Sequence, residues 1–176
     1  MSYTEWRTPK RLFDPLAKVE TFAVDAAADQ DNHLCDLWYG PGGECEDALA
    51  VAEWASPAWC NPPYGAGLES WLAKFAEQQA MGKTVIALLP AYTDRQWWKK
   101  WIVGGMVDVV FLVGRVPFEK PCGTCYGSVT ARVTCETCAG TGLDPKATHP
   151  RDASALALYH PAQAGQVTWL DWKRAQ

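Results

Sequence analysis

Apolar positions along the chain fall into short unbroken runs separated by one long stretch of helical period. Thr21–Asp25 (TFAVD) is a short apolar run ending in an acid, and Ala58–Asn61 (AWCN) is another, stopped by two prolines. Lys83–Pro90 (KTVIALLP) and Val107–Val113 (VDVVFLV) are almost continuously apolar and rich in β-formers, as expected of parallel strands covered on both faces. Gly67–Met81 instead sets Leu68, Trp71, Leu72, Phe75 and Ala76 on one helical face, with Gly82 as its stop. Asp94 is placed to cap a second helix carrying Trp97, Trp98 and Trp101, and Ser154–Tyr159 and Gln166–Leu170 read as closing strands. Strands alternating with helices predict an α/β fold with a mostly parallel sheet. Ligands in such sheets sit at the carboxyl ends of strands, so the residues after Asp25, Asn61 and Pro90 carry the interest.

At 176 residues the chain is long enough for one domain, or one domain with a small insert. Its 48% hydrophobic and 20% charged residues exclude long disorder and fibrous architectures. No apolar run nears the ~20 residues of a membrane span, and the N-terminus lacks the layout of a secretory signal, so a cytoplasmic location is expected (a host cytoplasm if the gene is a phage's). The net charge of −4 excludes a uniformly basic coat, but its distribution is uneven. Between Asp14 and Trp54 stand ten acids and one base, Lys18, whereas from Ala55 onward bases outnumber acids twelve to nine. A nucleic-acid face therefore belongs to the second half, where Arg95, Lys99, Lys100 and Arg115 lie. Ten tryptophans are many for this length, and Trp6, Trp97, Trp98 and Trp101 sit beside bases. Such pairs suit base stacking, although a buried core explains most tryptophans more simply.

The tetrapeptide Asn61-Pro62-Pro63-Tyr64 carries distinctive chemistry. Each proline holds the residue before it extended, and neither has an N–H. The local carbonyls then need an outside donor, and the side-chain oxygen of Asn61 adds another acceptor. Acceptors converging on one point suit an amino group with two hydrogens, such as the exocyclic amine of adenine or a glutamine amide, and the flat ring of Tyr64 offers a stacking surface. The plainer reading is a proline turn after a strand.

A second motif is Cys122-Gly-Thr-Cys125, nine residues, then Cys135-Glu-Thr-Cys138. Two CxxC pairs match tetrahedral zinc, and Gly127 and Gly140 permit the turns that aim amides at sulfur. A redox dithiol or unpaired thiols are the alternatives. Cys35, Cys45 and Cys60 read as buried thiols, and His33, His149 and His160 as structural or surface residues.

The motif order resembles the phage-type DNA adenine N6-methyltransferases, of the S-adenosylmethionine-dependent amino-methyltransferase group. The resemblance rests on Trp6-Arg7-Thr8-Pro9 with Leu12-Phe13-Asp14, Val24–Ala28 with Asn32, Trp59–Tyr64, Leu88–Ala91 with Thr93-Asp94, and Gly114–Phe118, and it resumes at Ser154–Pro161. It implies an abbreviated Rossmann-like methyltransferase sheet over residues 1–119 and 152–176; the segment 120–151 departs from that family core and, on its cysteine spacing, reads as a zinc-knuckle insert. Carried over by position, Asn61, Pro62, Pro63 and Tyr64 are catalytic. Thr8, Pro9, Asp25, Ala27 and Asp47 are cofactor residues, although Asp25 and Asp47 also read as solvated strand-end acids. Read instead from charge and aromatic placement, Trp6, Lys99, Lys100 and Arg115 are expected substrate contacts, and read from spacing, Cys122, Cys125, Cys135 and Cys138 are expected metal ligands. The cofactors implied are S-adenosylmethionine and a structural zinc; the partner is DNA, with no membrane and a monomer needing no protein partner. One departure is the lack of a glycine-rich turn after the first strand, where Asp25-Ala26-Ala27-Ala28 stands. The insert either staples a loop over DNA, favoured by Arg132, Lys146 and Arg151, or stabilises the fold. Rival functions are a glutamine-amide protein methyltransferase and a non-enzymatic zinc-stapled DNA-binding module. The Thr8-Pro9 start and Gly114–Phe118 segment argue against the first, and affinity for S-adenosylmethionine discriminates the second.

Overall fold

A computed structural model describes residues 6–125, 133–146 and 152–174. Six strands form one mixed sheet: β1 (Val24–Asp25), β2 (Ala58–Cys60), β3 (Val85–Pro90), β4 (Asp108–Leu112), β5 (Ser154–Tyr159) and β6 (Val167–Leu170), in the order β1-β2-β3-β5-β4-β6. Strands β1, β2 and β3 pair in parallel, as do β4 and β6, while β5 lies antiparallel between β3 and β4. Five strands thus share one direction. Asp25, Asn61 and Pro90 consequently emerge at the same end of the sheet, with Asp25 in register with Trp59 and Cys60 with Ala87.

Alternation along the central strands explains why their sequences are apolar throughout. Ala58, Cys60, Val85, Ala87, Leu89, Ala155, Ala157 and Tyr159 enter one core, and Trp59, Leu88 and Leu156 enter the other. The first core is covered by α2 (Leu68–Ala80), through Leu68, Leu72 and Phe75, and by the helical segment Trp98–Val103, through Trp98 and Ile102. The second is covered by α1 (Lys10–Val19) through Leu12 and Phe13, and by Trp172 after β6.

Two local elements differ from expectation, and the tryptophans follow it. Helix α1 was not foreseen, because its apolar face (Leu12, Phe13, Leu16, Ala17) is short and interrupted by Pro15. The Trp98–Val103 segment is wound widely: amides of Gly104 and Val107 bond the carbonyls of Lys99 and Ile102, five residues back. It has no side-chain cap, since its first carbonyl in use is that of Arg95, beyond Asp94. Tryptophans serve mainly as core, with Trp54, Trp59, Trp98 and Trp172 buried and Trp97 and Trp101 packed against the first core. Trp98 is therefore not a base-stacking surface.

Among the described residues no helix is long and apolar enough to cross a membrane. The segment between β4 and β5, adjacent antiparallel strands, is a single excursion that contains the four paired cysteines.

Candidate active site

The end of β2 delivers Asn61 and Pro62 into a cavity of about 370 Å³ at the carboxyl ends of β1 to β3. Tyr64 turns back toward the sheet, where its hydroxyl lies 2.9 Å from Asn61 Oδ1 and 3.0 Å from the Leu88 carbonyl. A phenol has one proton, so it is shared between these acceptors. Burial pushes the Tyr64 phenol well above its ordinary range, which keeps that proton in place. The ring meets Phe118 edge-on, centroids 6.5 Å apart. Tyr64 therefore anchors the loop to buried β3 as well as presenting a ring. No donor among the described residues reaches the Pro62 carbonyl, as the two prolines required.

The opposite wall is acidic. Asp25 is 4% exposed and accepts hydrogen bonds from the amides of Ala27 (3.3 Å) and Leu34 (3.0 Å). Burial raises its carboxyl pKa to about 6, against the lowering effect of those two amides. The reading of Asp25 as a solvated acid is thereby corrected. Asp47 is exposed at the rim, and its Oδ1 caps the short turn Ala48–Ala50 by accepting from the Leu49 amide at 2.9 Å.

A glycine that this wall does require stands elsewhere in the chain. Residues 37–39 lie beside β1, with the Tyr39 amide on the Asp25 carbonyl (2.9 Å) and the Ala28 amide on the Tyr39 carbonyl (3.1 Å). Gly40 follows at φ 136°, and a Cβ there would lie 1.9 Å from the Ala28 carbonyl oxygen. Only glycine fits.

Trp6, Thr8, Asp25, Ala27, Asp47 and the whole Asn61–Tyr64 motif line this one cavity. Pro9 does not; its carbonyl accepts the Leu12 and Phe13 amides at the start of α1. Lys99 and Lys100 also lie off the cavity, on the wide helix. Lys100 lies over the Trp101 ring at 4.4 Å and pairs with Glu69 at 3.5 Å, so its charge is already engaged. Arg115 is exposed beyond the end of β4. Sequence reasoning missed Tyr39 and the rim bond from Tyr92 to Asp152 (2.7 Å), which ties the ends of β3 and β5 across sixty residues and leaves no local signal.

The four paired cysteines form a separate buried cluster whose sulfurs all lie within 4.8 Å of one another. Cys122 and Cys135 sulfurs are 3.8 Å apart, those of Cys125 and Cys138 3.7 Å. Burial would raise the Cys138 thiol, but the amides of Gly142 and Gly140 and neighbouring thiols hold it at about 6. Gly140 takes φ 82°, the turn expected of it. Gly127, Arg132, His149 and Arg151 lie outside the described residues. Cys60 is a buried thiol as expected, and Cys35 and Cys45 are half-buried.

Comparison with known families decides the class. The model of the family DNA N-6-adenine-methyltransferase (Dam) matches residues 2–141 of the 176. The chain belongs to the Dam family. It is an enzyme of DNA N6-adenine methylation, which sets aside the glutamine-amide and non-enzymatic readings. A methyltransferase of this family implies S-adenosylmethionine as methyl donor and DNA as substrate. The matched range takes in all four paired cysteines. No curated protein matches the chain.

Proposed function

We propose that the cavity is the methyl-transfer site, with S-adenosylmethionine held on the acidic wall and the target adenine at Asn61–Tyr64. The observation that carries this reading is the opening of Asn61, Pro62 and the buried Asp25 onto one space. Its volume lies within the roughly 300–1,000 Å³ usual for small-molecule sites. Asp25 and Asp47 suit a cationic ligand bearing hydroxyls, and Ala27, Ala28, Tyr39 and Ala48 give the apolar surface an adenine ring needs. Thr8 completes the wall, with Pro9 setting the start of α1 behind it. When bound, S-adenosylmethionine supplies a methyl group made electrophilic by its sulfonium.

Asn61 Oδ1 and the Pro62 carbonyl accept the two hydrogens of the target amine, which leaves the nitrogen lone pair directed away from both acceptors and toward the acidic wall. No residue has to remove a proton before attack: the amine is methylated with both hydrogens in place as the carbon–sulfur bond breaks, and the cationic product then gives one proton to water. Tyr64 cannot serve as a base, because its phenol stays protonated. Alignment by these fixed acceptors can contribute roughly 7–11 kcal/mol. Tyr64 and Trp6 bound the space into which the base rotates, a step costing a few kcal/mol.

The cysteine cluster is proposed to hold one structural zinc, within a unit formed by residues 120–151. Tetrahedral Zn–S bonds of about 2.3 Å put sulfurs about 3.8 Å apart, matching the spacing of both pairs. A four-sulfur shell leaves no position for substrate, so the cluster takes no part in chemistry.

The test is Asn61→Ala assayed with labelled S-adenosylmethionine and duplex DNA. Methyl transfer to adenine N6 should fall at least 100-fold, about 2.7 kcal/mol, with cofactor affinity kept. More than a tenth of wild-type activity in the variant, or label appearing on cytosine, overturns the reading.

A further inference from the structure

Charge is partitioned around the cavity mouth. Asp25, Asp29, Glu46 and Asp47 line the cavity beside β1, where a DNA backbone meets like charge, and the one further lining carboxylate, Asp152 before β5, accepts a hydrogen bond from Tyr92. In the core cluster that contains Phe118 of the cavity lining, two cations from separate elements stand by the Trp172 ring. Arg11 of α1 places its guanidinium carbon 5.7 Å from the Trp172 ring centre, and Lys173 places its ammonium 6.0 Å away. That ammonium also lies against Gly114, where a Cβ would come within 3.2 Å of it, and Gly114 adjoins Arg115. All three cations are exposed, and among the described residues none is paired with a carboxylate. Their neighbours Lys10 and Arg174 are paired, with Asp14 and Asp171.

Two of these cations are tethered close to the cavity wall. Arg11 stands three residues after Thr8, and Arg115 three before Phe118, both of which line the cavity. Three residues span at most about 11 Å of extended chain. A strand that delivers a rotated adenine to Asn61 must carry flanking phosphates within about that distance of the mouth.

We infer that Arg11, Arg115 and Lys173 form a phosphate clamp that seats duplex DNA on the Phe118 side of the mouth. Trp172, buried between α1 and the end of β6, is its platform, and Gly114 is the gap in which Lys173 lies. This inference rests on the reading of the cavity as the methyl-transfer site, and it adds Arg11 and Lys173 to the contacts expected from sequence. Lys100, tied to Glu69, is not part of the clamp.

The experiment uses the full chain and a duplex oligonucleotide, with binding followed by fluorescence anisotropy over a series of salt concentrations. In the triple variant R11A/R115A/K173A, the slope of log K against log salt should become shallower by about 2 to 3, since each lost phosphate contact removes about 0.9. The apparent KM for DNA should rise at least tenfold, with kcat at saturating DNA and affinity for S-adenosylmethionine within about twofold of wild type. The charge-conserving R11K/R115K/K173R should keep the wild-type slope, which a packing role for these side chains would not restore. An unchanged slope in the triple variant, or an equal loss in Lys83→Ala at the far end of β3, overturns the clamp. Absence of methyl transfer and of cofactor binding in the wild-type protein overturns the underlying reading instead.

Discussion

Asp25 gives the apoprotein a stability that falls as pH rises, opposite to the usual behaviour of a carboxylate. Its carboxyl titrates near 6 in the fold and near 3.8 in an open chain, so the native state holds the proton more tightly. Between those values the unfolded chain binds fewer protons than the native one, and unfolding becomes easier with each step up in pH. The contribution is fully present below about pH 3.8 and gone above about pH 6. A difference of about 2 pKa units corresponds to about 3 kcal/mol, of which about 1.4 kcal/mol is lost between pH 5 and pH 7. Asp25→Asn removes the titration. It also turns an amide NH₂ toward one of the two donors, Ala27 or Leu34, that the carboxylate satisfied, a cost of about 1–3 kcal/mol. The two effects nearly cancel at neutral pH, so the variant should match wild-type stability there and be the weaker protein at pH 5. Urea unfolding of both proteins without cofactor, at pH 5, 6 and 7, measures the difference and cancels every other titrating group. Curves that stay parallel across this range would refute the argument that Asp25 is buried at the cost of its charge. Affinity for S-adenosylmethionine should follow the opposite course, rising from pH 5 to pH 7 in the wild type and lying at least tenfold weaker and pH-independent in the variant.

Tyr64→Phe should lower kcat about tenfold, because the Asn61 amide and the loop lose their tie to the Leu88 carbonyl; a rate within twofold of wild type would leave stacking as the ring's whole role. Asn61→Asp should impair transfer less than Asn61→Ala, since an acceptor oxygen remains, and single-turnover rates check the order. Elemental analysis of protein purified without chelator should give one zinc per chain, and Cys122→Ser with Cys125→Ser should release it while leaving affinity for S-adenosylmethionine within about twofold. Gly40→Ala should destabilise the fold by more than about 3 kcal/mol and abolish cofactor binding, read by thermal unfolding and titration, because its Cβ would enter the Ala28 carbonyl.

What the sequence discloses here depends on how local the governing interaction is. Strand positions were legible because burial on both faces demands unbroken apolar runs such as KTVIALLP, and α2 because its period is read within one segment. Asn61-Pro62-Pro63-Tyr64 was legible for the same reason, since the missing N–H groups belong to the prolines themselves. Cysteine spacing anticipated a cluster that folds largely within itself. The position of β5 between β3 and β4 was hidden, because it is set by pairing between residues 44 to 74 positions apart. Gly40 likewise has meaning only once residues 37–39 lie along β1, and nothing in Asp25-Ala26-Ala27-Ala28 signals that the wall requires a glycine twelve residues later. Asp25 itself was identified as a candidate, but its burial follows from the loop that closes over it through Leu34.

The same dependence on folding explains how a chain of net charge −4 can act on a polyanion. Nine negative charges in excess between Asp14 and Trp54 follow one stretch of sequence, and four of those acids converge on one wall because β1 and the loop after it occupy one edge of the sheet. The cations of the proposed clamp have no common stretch: Arg11 precedes the acidic half, Arg115 follows β4 and Lys173 follows β6. They meet because β4 and β6 run parallel, so that both chains leave the sheet at the same end, and because α1 packs over Trp172 on that face. If the proposed clamp holds, a cationic cofactor on the acidic wall and a phosphate backbone on Arg11, Arg115 and Lys173 each meet groups of opposite charge, although the chain as a whole is acidic.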